Sequence, residues 1–116
     1  MDILAEFLSL VDPIMDGRAY RSVVPDDTPA PYARFLRVAA VEGVTLDDNG
    51  GDDNETATRI QIDIFGSSPD VDAKTAAVKA ALKAWAVDNI ITLELDSFEP
   101  EVKLHRTMLD IATIHQ

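Results

Sequence analysis

Apolar and polar positions divide this chain into six patterned stretches. Ile3, Leu4, Phe7, Leu8 and Val11 recur at i, i+1, i+4, i+5 and i+8, which is one face of a helix, and Pro13 ends it. Over 32–41 the even positions carry Leu36, Val38 and Ala40, and the pattern predicts a strand. Over 57–65 the alternation is cleaner: Ile60, Ile62 and Ile64 share one face, and Arg59, Gln61 and Asp63 the other. Ser67-Ser68-Pro69-Asp70 then offers an N-cap serine, a proline at the first helical position and an acid in the first turn. Val71, Val78, Leu82 and Trp85 mark the apolar face of the helix that follows. The six alanines from Ala73 to Ala84 favour helix and permit close packing on a sheet. Asp70 and Lys74 stand at i,i+4, a favourable pair. Ile91, Leu93 and Leu95 alternate with Thr92, Glu94 and Asp96 as in a half-buried strand. Glu99-Pro100-Glu101 marks a turn, and 103–115 reads as a last strand covered on both sides.

The first two strands are expected to pair as a hairpin. Centring it on the loop puts even positions opposite even ones, with Leu36 and Val38 beside Ile62 and Ile60 on the buried face. The other face then carries Arg37, Arg59, Gln61 and Asp63 together with Phe35 and Phe65. Those two aromatics read either as a subunit contact or as ordinary half-exposed side chains. Residues 12–31 contain Pro13, Gly17, Pro25, Pro29 and Pro31, so this is an irregular connection with at most one short strand between Arg18 and Val24. The fold expected is α+β: a mainly antiparallel sheet of about four strands with two helices packed on one face. It forms one domain over 1–116, with an acidic hairpin loop at about 42–56.

Composition narrows the function. The 116 residues suit one core, and the chain has no cysteine, hence no disulfide, zinc–thiolate site or thiol nucleophile. The N-terminus lacks a basic region and its apolar positions are interrupted by Asp2 and Glu6, which is unlike a signal peptide. No stretch approaches a membrane span. The expected setting is the cytoplasm, without membrane contact. A net charge of −11 repels nucleic acid, so sequence-specific binding to it is not expected.

Little in the chain suggests catalysis. His105 and His115 are ten residues apart and fit no metal spacing. There is no nucleophile elbow, phosphate loop or dinucleotide fingerprint, and no cofactor is implied. The loop holding Asp47, Asp48, Asp52, Asp53 and Glu55 invites a calcium reading. Counted from Asp47, however, loop positions six and twelve are Asp52 and Thr58; from Asp48 they are Asp53 and Arg59. Both frames lack the glycine and glutamate that an EF-hand requires. The loop reads as solvated, or as an acidic lining beside passing DNA.

The order of short patterns along the chain carries a resemblance. An early helix is followed by Gly17-Arg18-Ala19-Tyr20, then Val24-Pro25-Asp26-Asp27-Thr28-Pro29-Ala30-Pro31-Tyr32 and the strand Arg59-Ile60-Gln61-Ile62-Asp63-Ile64-Phe65. The alanine-rich helix comes next, and Glu99-Pro100-Glu101-Val102-Lys103-Leu104-His105-Arg106 leads into Met108-Leu109-Asp110-Ile111. The run resembles the tail completion (tail terminator) proteins of siphophages and prophages, over nearly the whole chain. The resemblance implies a non-enzymatic protein that caps the tail tube, stops its growth and joins tail to head, working as a ring, usually a hexamer. Its partners would then be itself, the tail tube protein and a head–tail connector or neck protein. It would sit in the host cytoplasm during assembly and in the virion tail afterwards. Candidate subunit contacts are Phe35 and Phe65, and the proline-rich segment around Arg18, Tyr20 and Arg21. The acidic loop and a final strand poor in aromatics depart from the family pattern. Two other readings are another neck or head-completion virion protein, and an acidic DNA mimic that inhibits a host enzyme. Lys74, Lys79 and Lys83 on the helix and Arg34, Arg37 and Arg59 on the hairpin interrupt the row of acids that a mimic needs.

Overall fold

The computed structural model describes residues 1–42 and 55–116. The elements run α1 (Ile3–Val11), β1 (Ala19–Arg21), β2 (Tyr32–Glu42), β3 (Thr56–Gly66), α2 (Ser68–Ala84), β4 (Asp88–Glu99) and β5 (Leu104–His115). They form an α+β fold with one five-stranded sheet in the order β1-β2-β3-β5-β4. The sheet is mixed, because β1 runs parallel to β2 while every other neighbour is antiparallel. The sheet is thus mainly antiparallel, as expected, with five strands in place of about four. The short strand inside the proline-rich segment supplies the fifth member.

Local chemistry sets the helix ends. Asp2 caps α1, its side chain accepting from the Ala5 amide at 3.1 Å. Ser67 caps α2 and accepts from the Asp70 amide at 3.3 Å. Pro69 falls in the first turn of α2, where no amide donor is needed. After α1 the chain turns sharply: the Gly17 amide donates to the Asp12 carbonyl at 2.9 Å, with Gly17 at φ +78.

Both helices lie on one face of the sheet, with α2 over β3 and β5, and α1 against β1 and α2. The core between these layers holds Phe7 and Val11 of α1, Val71, Val78 and Leu82 of α2, Ile60, Ile62 and Ile64 of β3, and Leu109 and Ile111 of β5. Lys74 does not depend on Asp70: its ammonium donates to the Ile14 carbonyl at 2.7 Å and to Asp16 at 3.2 Å. It thereby ties α2 to the turn that follows α1.

The register of β2 differs from the expected one. Near the loop, even positions do face even ones, as in Ala40↔Thr58 and Glu42↔Thr56. A bulge between Arg37 and Ala39 then inserts one residue, and the pairing becomes Phe35↔Ile62 and Ala33↔Ile64. One extra residue moves every later side chain to the opposite face. Ala33 and Phe35 therefore enter the core, while Val38 is 45% exposed and Leu36 lies on the far side. The other correction concerns β4. It is an edge strand with a register shift between Ile91 and Leu93, so only Ile91 packs against the core. Leu93 and Leu95 are 45% and 53% exposed.

Candidate assembly surface

The sheet face away from the helices has no helix over it among the described residues. Cross-strand partners share a face, so the register assigns its residues. From β2 it carries Tyr32, Arg34, Leu36, Ala39 and Val41; from β3, Arg59, Gln61, Asp63 and Phe65. From β5 it carries Arg106, Met108 and Asp110, and from β4 Leu93, Leu95 and Glu99.

A charged cluster occupies the middle of this face. Asp63 is fully buried. Its Oδ1 accepts from Arg106 Nη2 at 2.7 Å and Nε at 3.0 Å, and its Oδ2 accepts from Arg34 Nη2 at 3.1 Å. Gln61 Nε2 donates to both oxygens at 3.2 Å. Arg106 reaches further, to Glu99 at 3.1 Å, so the cluster links β2, β3, β5 and β4. Burial alone would lower the pKa of Arg106. The hydrogen bonds and charges of Asp63 and Glu99 outweigh it and hold the guanidinium above its ordinary value. Both guanidinium carbons also stand over the Phe65 ring, 6.0 and 5.8 Å from its centroid, and Tyr32 stacks on the same ring at 5.2 Å. Beside this cluster Arg59 pairs with Asp110. Two buried polar atoms, Arg34 Nε and Asp110 Oδ1, find no hydrogen-bond partner among the described residues.

Apolar side chains flank the charges. Ile90, Leu93 and Leu95 are 64%, 45% and 53% exposed on β4, and Val41 is 59% exposed at the far end of β2. Covering the open half of Leu93 or Leu95 would contribute roughly 1 kcal/mol each. A cleft of about 560 Å³ separates the C-terminal half of α2 from β4, with Leu82, Trp85 and Ile91 among its lining residues. The sheet is thus left open along its β4 edge.

The residues singled out from sequence fall in different places. Phe35 is 1% exposed and packs on Phe7 at 5.4 Å between ring centroids, so it belongs to the core. Phe65 lies on the other sheet face but is only 9% exposed, covered by Tyr32, Arg34 and Arg106, and the two phenylalanines form no common patch. Arg18 is turned inward, its Nε donating to the Pro31 carbonyl at 2.8 Å. Tyr20 is half-buried, and Arg21 is exposed. Asp47, Asp48, Asp52 and Asp53 lie outside the described residues; Glu55 is half-buried just before β3. His115 shares a hydrogen bond with the Thr58 hydroxyl at 2.9 Å, and the exposed His105 meets the edge of Phe98. Among the described residues no group of three or more histidines and carboxylates could hold a metal ion, and no helix is long and apolar enough to cross a membrane.

The Asp63 cluster escaped the sequence reading. Its signal was present, an acid alternating with three isoleucines and arginines on two other strands. Reading it needs the β3–β5 register, which pairs Asp63 with Met108 and Phe65 with Arg106.

The family model described as tail completion protein gp17 matches residues 5–116. This chain belongs to the tail completion protein family. Its role is accordingly a structural one in a phage tail. A solved structure titled "Virion of native gene transfer agent (GTA) particle" contains a chain with the same fold. It matches at a TM-score of 0.57 and 15% identity, covering 95% of this chain and 84% of that one. A search of curated protein sequences gives no match.

Proposed function

We propose that this tail completion protein caps the head-proximal end of the tail tube, stops its growth and presents the surface that joins tail to head. The working form is a ring of copies of this chain, six by family resemblance. Its partners are the tail tube protein on one side and a connector or neck protein on the other. Family membership over residues 5–116 carries this reading. The open sheet face supports it, since a protein that works only in an assembly keeps surface for its neighbours. Catalysis has no part in it. The cluster around Asp63 also counts against a DNA mimic: Arg34, Arg59 and Arg106 stand among the acids of that face. Complementation tests the proposal. Phage lacking the protein should make over-long tails that fail to join heads, and supplying this chain should restore tail length and infectivity. Tails of normal length in its absence, with only head joining lost, would assign it to the neck instead.

A further inference from the structure

We propose that copies of this chain join head to tail along their two sheet edges, β4 of one copy lying against β1 and the uncovered part of β2 of the next. The inference rests on the ring reading above and names its seam.

Among the described residues both edges are free. The sheet ends in β4 on one side and β1 on the other. β1 covers β2 only from Ala33 to Phe35, and no other described strand pairs with the outer edge of β2 from Leu36 to Glu42. Such edges carry rows of amide donors and carbonyl acceptors ready for another strand.

The edges differ in charge. β4 holds Asp88, Glu94, Asp96 and Glu99 and no lysine or arginine. Four of the six arginines in the chain, Arg18, Arg21, Arg34 and Arg37, lie on or next to β1 and β2. Arg21 and Arg37 are exposed. This asymmetry, in a chain of net charge −11, opposes like-edge pairing and favours unlike edges.

The faces match as well. On the helix side of β4 stand Glu94 and Asp96, and on that same side of β1 and β2 stand Arg21 and Arg37. Glu94 also meets Lys79, and Asp96 accepts from the Thr107 hydroxyl at 2.7 Å, so both acids are already oriented. On the open side Leu93 and Leu95 would meet Leu36, Ala39 and Val41. Direction agrees too. Within one copy β4 runs opposite to β2. A neighbour generated by rotation about an axis along the strands therefore brings its β2 antiparallel to β4, and such a heterologous contact closes into a ring.

The test is charge reversal of each edge in the full chain. One variant carries Arg21→Glu with Arg37→Glu; the other carries Glu94→Lys with Asp96→Lys. Circular dichroism checks that each is folded. Analytical ultracentrifugation and negative-stain imaging read the assembly. Each variant alone should sediment as monomer where the unaltered chain forms rings. An equimolar mixture should form rings again, because every seam then joins opposite charges. Rings formed by either variant alone, or folded variants that stay apart on mixing, would overturn the seam while leaving the ring intact. An unaltered chain that stays monomeric both alone and on tail tubes would overturn the ring reading and this inference together. The milder pair Arg21→Gln with Arg37→Gln should raise the concentration for half-assembly about tenfold. No change there would also sink the proposal.

Discussion

Replacing Asp63 by asparagine keeps the shape of the side chain and removes its charge. In the unaltered protein the carboxylate is fully buried and accepts from Arg34, Arg106 and Gln61. The substitution leaves Arg34 without its counter-charge and Arg106 with Glu99 alone. Breaking one partner of a buried charge pair costs about 3–5 kcal/mol. The arginine side chains are 36% and 26% exposed, so water screens part of their charge. The low end, about 3 kcal/mol, is the value expected. At this chain length that corresponds to a fall in Tm of roughly 12 °C. Urea unfolding followed by circular dichroism measures it, at a protein concentration where both forms sediment alike. The midpoint should drop with no change of slope, because the surface exposed on unfolding is unchanged. Lys79→Gln serves as the control. Its pair with Glu94 is exposed on both sides, at 39% and 38%, and its loss should cost less than about 1 kcal/mol. A cost for Asp63→Asn within about 1 kcal/mol, or no larger than that of Lys79→Gln, would refute the view that the cluster braces the sheet.

Phe35→Ala separates core from contact surface. Its burial and its packing on Phe7 predict a loss of about 3–5 kcal/mol by denaturant unfolding; a stable variant with altered association would place Phe35 at an interface. Gly17→Ala isolates a backbone effect. Beyond its two chain neighbours no atom of the described residues lies within 4 Å of the added Cβ, so the cost of about 1 kcal/mol comes from φ +78 alone, and a thermal melt unchanged from the parent would show that the turn relaxes without strain.

The sequence was most legible where local chemistry decides. The Ser67 cap, Pro69 and the spacing of Val71, Val78 and Leu82 define α2 without reference to anything distant. The isoleucines of β3 alternate so strictly that its buried face could be read directly. β2 was harder. Its stretch Val38-Ala39-Ala40-Val41 is apolar at both parities, so nothing local marks the bulge that sends Phe35 inward. Alternation along β4 placed Ile91, Leu93 and Leu95 on one face, and the register shift between Ile91 and Leu93 divides them between the two. What alternation lacks is any record of what covers a face, and Leu93 and Leu95 turn out to have no helix over them. The parallel pairing of β1 depends on three residues meeting a distant strand, and the Asp63 cluster depends on three strands in register. Neither leaves a short-range trace. The candidate contact residues accordingly divided into a core Phe35, a covered Phe65, an inward Arg18, a half-buried Tyr20 and an exposed Arg21.

β5 follows every other element in chain order, yet it lies inside the sheet, between β3 and β4. Until it is in place beside β3, Asp63 lacks Arg106 and β4 is joined to no other part of the sheet. The acidic edge thus owes its place on the subunit to the strand beside it. On the seam proposed above, a chain whose sheet is unfinished could not offer that edge to a neighbour, so assembly would favour subunits with the sheet complete.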